Sequence, residues 1–112
     1  MFRTEEQVKK LCKNCPFAKT ANLLGDTVVL FILKEISSER KCFSDIEKSL
    51  SMVSSRTITE KLKFLEENDL LERAEEPGKP TRVFYSLSKK GQAFKKVESS
   101  LLSFGNEFFQ SH

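Results

Sequence analysis

With 112 residues the chain has the size of one domain, enough for a modest core that pairing with a second copy would supplement. Its 38% hydrophobic and 31% charged residues, with no apolar run near ~18 residues and a charged start, speak against a membrane span or a secretory signal. The cytoplasm is therefore the expected location. A net charge of +3 permits nucleic-acid binding without requiring it, and three cysteines, an odd number, argue against a disulfide framework.

The first 14 residues form an N-terminal extension with a short helix expected over 4–11. In "LCKNCPF" (11–17) Pro16 suits the first turn of a helix, where its missing N–H costs nothing, so Cys15 is the expected N-cap. That helix should turn Phe17, Ala21 and Leu24 inward and stop at Gly25. "DTVVLFILKEI" (26–36) follows with Asp26 as N-cap, and its nearly all-round apolar surface marks a helix buried on most sides. "SSERK" (37–41) reads as a polar connection.

"FSDIEKSL" (43–50) places Ser44 and Glu47 at capping-box spacing, with Phe43, Ile46 and Leu50 as its apolar stripe. After a turn at 51–53, "SSRTITEKLKFLEEN" (54–68) is a second helix with Ile58, Leu62 and Leu65 on one face. Two short helices across a tight turn make 43–68 a helix-turn-helix. The segment 70–87 is a wing hairpin: "LLERAE", the turn "EPGKPT", then "RVFYSL", in which Val83, Tyr85 and Leu87 alternate with Arg82, Phe84 and Ser86. Ser88 caps a final helix over 88–110, where Phe94, Val97, Leu101, Phe104 and Phe108 recur at spacings of 3, 4, 3 and 4. That stripe fits a dimer seam better than a single small core, and Leu102 and Phe109 widen it. The expected fold is mainly α with a small β-hairpin (α+β), a winged helix-turn-helix in one domain over 1–112.

This order of elements points to double-stranded DNA, because a helix fits the major groove and a basic hairpin tip reaches the neighbouring backbone. At ~100° per residue, the face of 54–68 opposite the apolar stripe holds Arg56, Glu60 and Lys63, with Thr59 at its edge. Ser54, Ser55 and Arg56 stand at its start, the end that a recognition helix presents to base edges. Arg56 can fork onto guanine, Thr59 can meet a thymine methyl or a hydrogen-bonding edge, and Glu60 can accept from cytosine. Arg40, Lys41, Lys61, Lys79, Thr81 and Arg82 suit the phosphates and the wing. The rival reading is a winged-helix module that binds protein and no DNA.

Of the thiols, Cys12, Cys15 and Cys42 with a lone terminal His112 make a poor zinc set, since no second CxxC is present. No metal or cofactor is expected. Catalysis is also disfavoured, with one histidine and no phosphate loop. Cys15 at a helix start, with Lys10, Lys13 and Lys19 nearby, is the thiol with a physical reason to ionise, and Cys12 or a second subunit is its candidate disulfide partner.

From Cys15 to Gly91 the chain resembles the HxlR family of winged helix-turn-helix transcriptional regulators, similar in architecture to the MarR group. The landmarks are "CPF", "LLG" (23–25), "LFILKEI" (30–36), "FSDIEKSL" (43–50), "VSSRTITEKLKFLEENDLLER" (53–73) and "VFYSLSKKG" (83–91). The resemblance implies a homodimer joined through terminal helices on a two-fold-related operator. In some members it also implies oxidant sensing by a cysteine at the place of Cys15. The chain departs from the pattern in having no tryptophan, in Phe64 where a polar residue is usual, and in Cys42 where a basic residue often stands.

Overall fold

The structure, a computed structural model, describes residues 16–110. Helix α1 (Pro16–Leu24) leads to α2 (Thr27–Ser37), then a two-residue strand β1 (Lys41–Cys42), α3 (Phe43–Ser49) and α4 (Ser55–Glu67). Strands β2 (Leu71–Glu76) and β3 (Arg82–Leu87) form the wing, and a 3-10 turn (Lys90–Ala93) runs into α5 (Phe94–Phe109). The expected helix over 4–11 and the Cys15 cap lie outside the described residues.

Helix α2 is the centre of the core. Val29, Ile32, Leu33 and Ile36 are all buried on it, and Ile46, Ile58, Leu62, Leu65, Leu71, Tyr85 and Leu87 close around them. Asp26 caps it as expected, its Oδ1 accepting the Val29 N–H at 3.1 Å. The first helix turns the other way from the expectation: Phe17 is 81% exposed and Ala21 is exposed, while Ala18 is buried and Leu24 half-buried. A small residue on the inner face brings α1 close to its support, which a phenylalanine at the same position would prevent.

The "SSERK" connection ends in a strand, Lys41–Cys42, that alternation could not reveal in two residues. Lys41 pairs with Tyr85 and Cys42 with Phe84, so the expected hairpin is a three-stranded antiparallel sheet in the order β1-β3-β2. The capping box at α3 does not form. Cys42 is the N-cap and makes no side-chain cap bond, and Glu47 instead accepts from the Ser55 hydroxyl. Ser49 Oγ donates to Glu35 at 2.7 Å, so α3 is tied to both α2 and α4 by polar side chains.

The last helix starts later than expected and is not capped by Ser88: α5 begins at Phe94, after Ala93, with no side-chain cap bond. Ser88 Oγ instead closes the turn before it, accepting the Gly91 N–H at 2.8 Å and donating to the Asp69 carbonyl at 2.7 Å. Helix α5 is fastened at its start, where Phe94 enters the core and Glu98 accepts a 2.6 Å bond from Ser37 Oγ. Beyond that point its apolar residues face outward.

Candidate nucleic-acid interface

Helix α4 is set by its own sequence. Ser54 Oγ accepts the Thr57 N–H at 3.1 Å, and Ile58, Leu62 and Leu65 are buried on the core side. A turn closed by Val53 N–H to Leu50 O at 2.9 Å joins it to α3. Its other end stops at a Schellman motif, with Leu70 N–H on Leu65 O and Asp69 N–H on Glu66 O, both at 3.0 Å. Asp69 occupies the left-handed position with φ 61°.

The outward face of α4 carries Arg56, Thr59, Glu60 and Lys63, all exposed. Arg56 Nε donates to Glu60 Oε1 at 3.1 Å, an i,i+4 pair that leaves the Arg56 side chain 89% exposed. Thr59 Oγ1 donates back to the Ser55 carbonyl at 2.8 Å, which occupies its proton and leaves the methyl on the surface. Ser54 and Ser55 are largely used within the protein, Ser54 as the cap and Ser55 as a donor to Glu47. Among the described residues Lys63 and Lys79 have no ion-pair partner, and Lys79, Thr81 and Arg82 are exposed at the wing tip.

Three of the expected phosphate contacts have a partner within the protein. Lys61 Nζ lies 2.8 Å from Asp26 Oδ2 and joins α4 to the start of α2. Burial pushes the Asp26 carboxyl up, but the Lys61 bond and charge and the Val29 and Val28 amides outweigh it, so it titrates below its ordinary 3.8. Lys41 pairs with Glu39 at 3.2 Å, and Arg40 with Glu76 at 2.9 Å. Sequence reasoning passed over Glu76 and Phe84. Strand alternation places Phe84 on the outer face of β3 between Arg82 and Ser86, and an aromatic ring on a solvent-facing strand beside arginines is the signal that would have found it.

Cys42 is buried at 3% exposure, with its thiol 3.1 Å from both Asp45 Oδ2 and Ser44 Oγ and 3.7 Å from the Arg82 guanidinium. The bond from Cys42 holds the Asp45 carboxyl below its ordinary value. Cys12 and Cys15 lie outside the described residues. Of the expected seam, Phe94 sits in this chain's own core at 4% exposure, Val97 is half-buried, and Leu101, Phe104 and Phe108 are 48%, 64% and 60% exposed. Phe104 stacks on Phe108 with ring centres 5.5 Å apart. An open groove of about 560 Å³ runs beside them between α2 and α5.

A helix-turn-helix followed by a wing defines the chain as a winged helix-turn-helix protein. It belongs to the HxlR-like helix-turn-helix family, whose profile matches residues 23–112. The HTH-type transcriptional regulator YodB of Bacillus subtilis is 32% identical over 95 residues, spanning 84% of this chain and 85% of YodB. The solved reduced form of YodB matches with a TM-score of 0.75 at 30% identity, over 88% of this chain and 97% of that one. Diamide-treated YodB matches with a TM-score of 0.63 at 31% identity, over 84% of this chain and 94% of that one. The family is one of transcriptional regulators. No single helix among the described residues is long and apolar enough to cross a membrane.

Proposed function

We propose that the protein is a transcriptional regulator that binds double-stranded DNA as a homodimer on a two-fold-related operator, from the cytoplasm and without catalysis or a cofactor. Helix α4 enters the major groove and the wing tip over 76–82 meets the adjacent backbone or minor groove. The observation that carries this reading is the division of α4: Ile58, Leu62 and Leu65 anchor one face, and Arg56, Thr59, Glu60 and Lys63 stand together on the other. Arg56, braced by Glu60, is the residue for guanine O6 and N7, and the Thr59 methyl is the contact for thymine. Lys63, Lys79, Thr81 and Arg82 serve the phosphates, and Lys61 acts by holding α4 in place.

The homodimer rests on the outer part of α5, where Leu101, Leu102, Phe104, Phe108 and Phe109 are exposed large apolar side chains in one short helix. So much apolar surface on one small element favours a partner surface over solvent.

A binding-site selection with the wild type and Arg56→Ala tests the groove assignment. The substitution should cost about 1–3 kcal/mol and relax one base position in each half-site. The same motif selected with the same affinity would refute it.

A thiol response is the second part of the reading, supported by similarity to YodB, solved in a reduced and a diamide-treated form. Cys15 is its sensor and Cys12 its resolving partner, with a disulfide changing the spacing of the two α4 helices. Oxidant should release DNA from the wild type and leave Cys15→Ser bound. Equal release from both would remove Cys15 from the mechanism.

A further inference from the structure

The outer face of the wing sheet carries an arrangement that groove reading by α4 does not require. Arg40, just before β1, lays its guanidinium over the Phe84 ring of β3 with its carbon 4.0 Å from the ring centre. Its Nη2 then reaches Glu76 Oε2 on β2 at 2.9 Å, so one side chain spans the width of the three-stranded sheet. Arg82, cross-strand partner of Glu76, approaches the same ring at 5.6 Å. Two guanidiniums therefore approach one aromatic ring on β3, and the nearer of them is bonded to the Glu76 carboxylate at the end of β2 nearest the wing tip.

We propose that Arg40, Phe84 and Glu76 form a phosphate-exchange clamp for a nucleic-acid backbone. In the free protein the Glu76 carboxylate takes the edge of the Arg40 guanidinium that a phosphodiester oxygen takes in the complex. Phe84 keeps the guanidinium flat and in place while the partner changes. The inference rests on the DNA-binding reading above.

The chemistry favours the exchange. A guanidinium presents the same planar fork to a carboxylate and to a phosphate, so the two are alternatives at one edge. Side-chain exposures of 54% for Arg40 and 52% for Glu76 leave the pair open to solvent, where such pairs are weak and yield to a better acceptor. The contact with the Phe84 ring, 4.0 Å from the guanidinium carbon to the ring centre, uses no hydrogen-bond acceptor, so it survives the exchange. Arg82 adds positive charge beside the vacated edge. Phe84 and Glu76 are thus positioning residues that act through Arg40, and Glu76 is a built-in brake on non-specific binding.

The test measures binding of the full chain to a labelled mixed-sequence duplex by fluorescence anisotropy across a salt series. It uses the wild type, Glu76→Gln, Arg40→Ala, their double variant, and Phe84→Leu with and without Glu76→Gln. Glu76→Gln should tighten binding by roughly threefold, the worth of one exposed ion pair. That gain should vanish when Arg40 is alanine or Phe84 is leucine, and Arg40→Ala should reduce the salt slope by about one. Leucine keeps the strand's apolar contact while removing the ring face, so a folded variant is retained, which circular dichroism checks. Glu76→Gln that leaves affinity unchanged, or tightens it equally with and without Arg40, would overturn the clamp and leave duplex binding standing. A wild type that binds no duplex would overturn the clamp and the DNA-binding reading together.

Discussion

Asp26 performs two tasks with one carboxylate, capping α2 through Oδ1 and pairing with Lys61 through Oδ2. Asp26→Ala should therefore lower unfolding free energy by about 1–2 kcal/mol, and Asp26→Asn, which keeps an acceptor but loses the charge, by less. Because the folded protein holds this carboxyl below its ordinary 3.8, the unfolded chain binds more protons as pH falls past that value. The stabilisation is complete above the unfolded value and is lost as pH drops through the folded one. Urea titrations between about pH 5 and pH 3 should show the wild type losing more stability than Asp26→Asn. A parallel loss in both would show that the pair does not contribute. The cap was legible in "DTVVLF", since Asp before an apolar run is a local signal. Its bond to Lys61, 35 positions along the chain, depends on how α4 crosses α2, which no local pattern in the sequence shows.

Element boundaries are governed by two positions that pull in opposite directions. Gly91 lies so close to the entry of β2 that an added Cβ would stand 2.0 Å from the Leu70 carbonyl oxygen and 2.9 Å from its carbon, both backbone atoms that cannot step aside. Gly91→Ala should destabilise the protein by about 1–3 kcal/mol in denaturant titration, with the loss arising where α5 meets the wing. Asp69 presents the converse case: it ends α4 at φ 61°, a conformation that glycine adopts freely. Asp69→Gly should be neutral or stabilising by less than about 1 kcal/mol, and a clear loss would show that its side chain has a role beyond ending the helix. At this scale α4 and the wing strands are readable because each repeats a short-range pattern, whereas the expected Ser88 cap gives way to a 3-10 turn that delays α5 to Phe94. The Ser44–Glu47 box failed because a sequence motif cannot see that Glu47 meets Ser55 across the helix-turn-helix turn. Strand β1 was missed because two residues carry no alternation, and the three-stranded sheet that brings Arg40 onto Phe84 was missed with it.

For the molecule as a whole, the length of α5 explains both its inner and its outer residues. Phe94 fastens it to the core, while the remainder projects with Phe104, Phe108 and Phe109 in ring contact along it. The 3-4 spacing in the sequence reads as one seam, and the structure divides it between this chain's core and its surface. Leu101→Asp should accordingly leave the fold intact and yield a monomer in sedimentation. An unchanged dimer would place the interface elsewhere. A dimer joined here would carry two α4 helices and two wings related by a two-fold axis, so its operator must share that symmetry. The most direct test is selection of binding sites from random duplexes by the full chain, followed by footprinting of the winner. Two inverted half-sites with centres about one helical turn, or a multiple of it, apart, and two protein chains per duplex, are the predicted result. An asymmetric site bound by one chain, or no enrichment of any duplex, would contradict it.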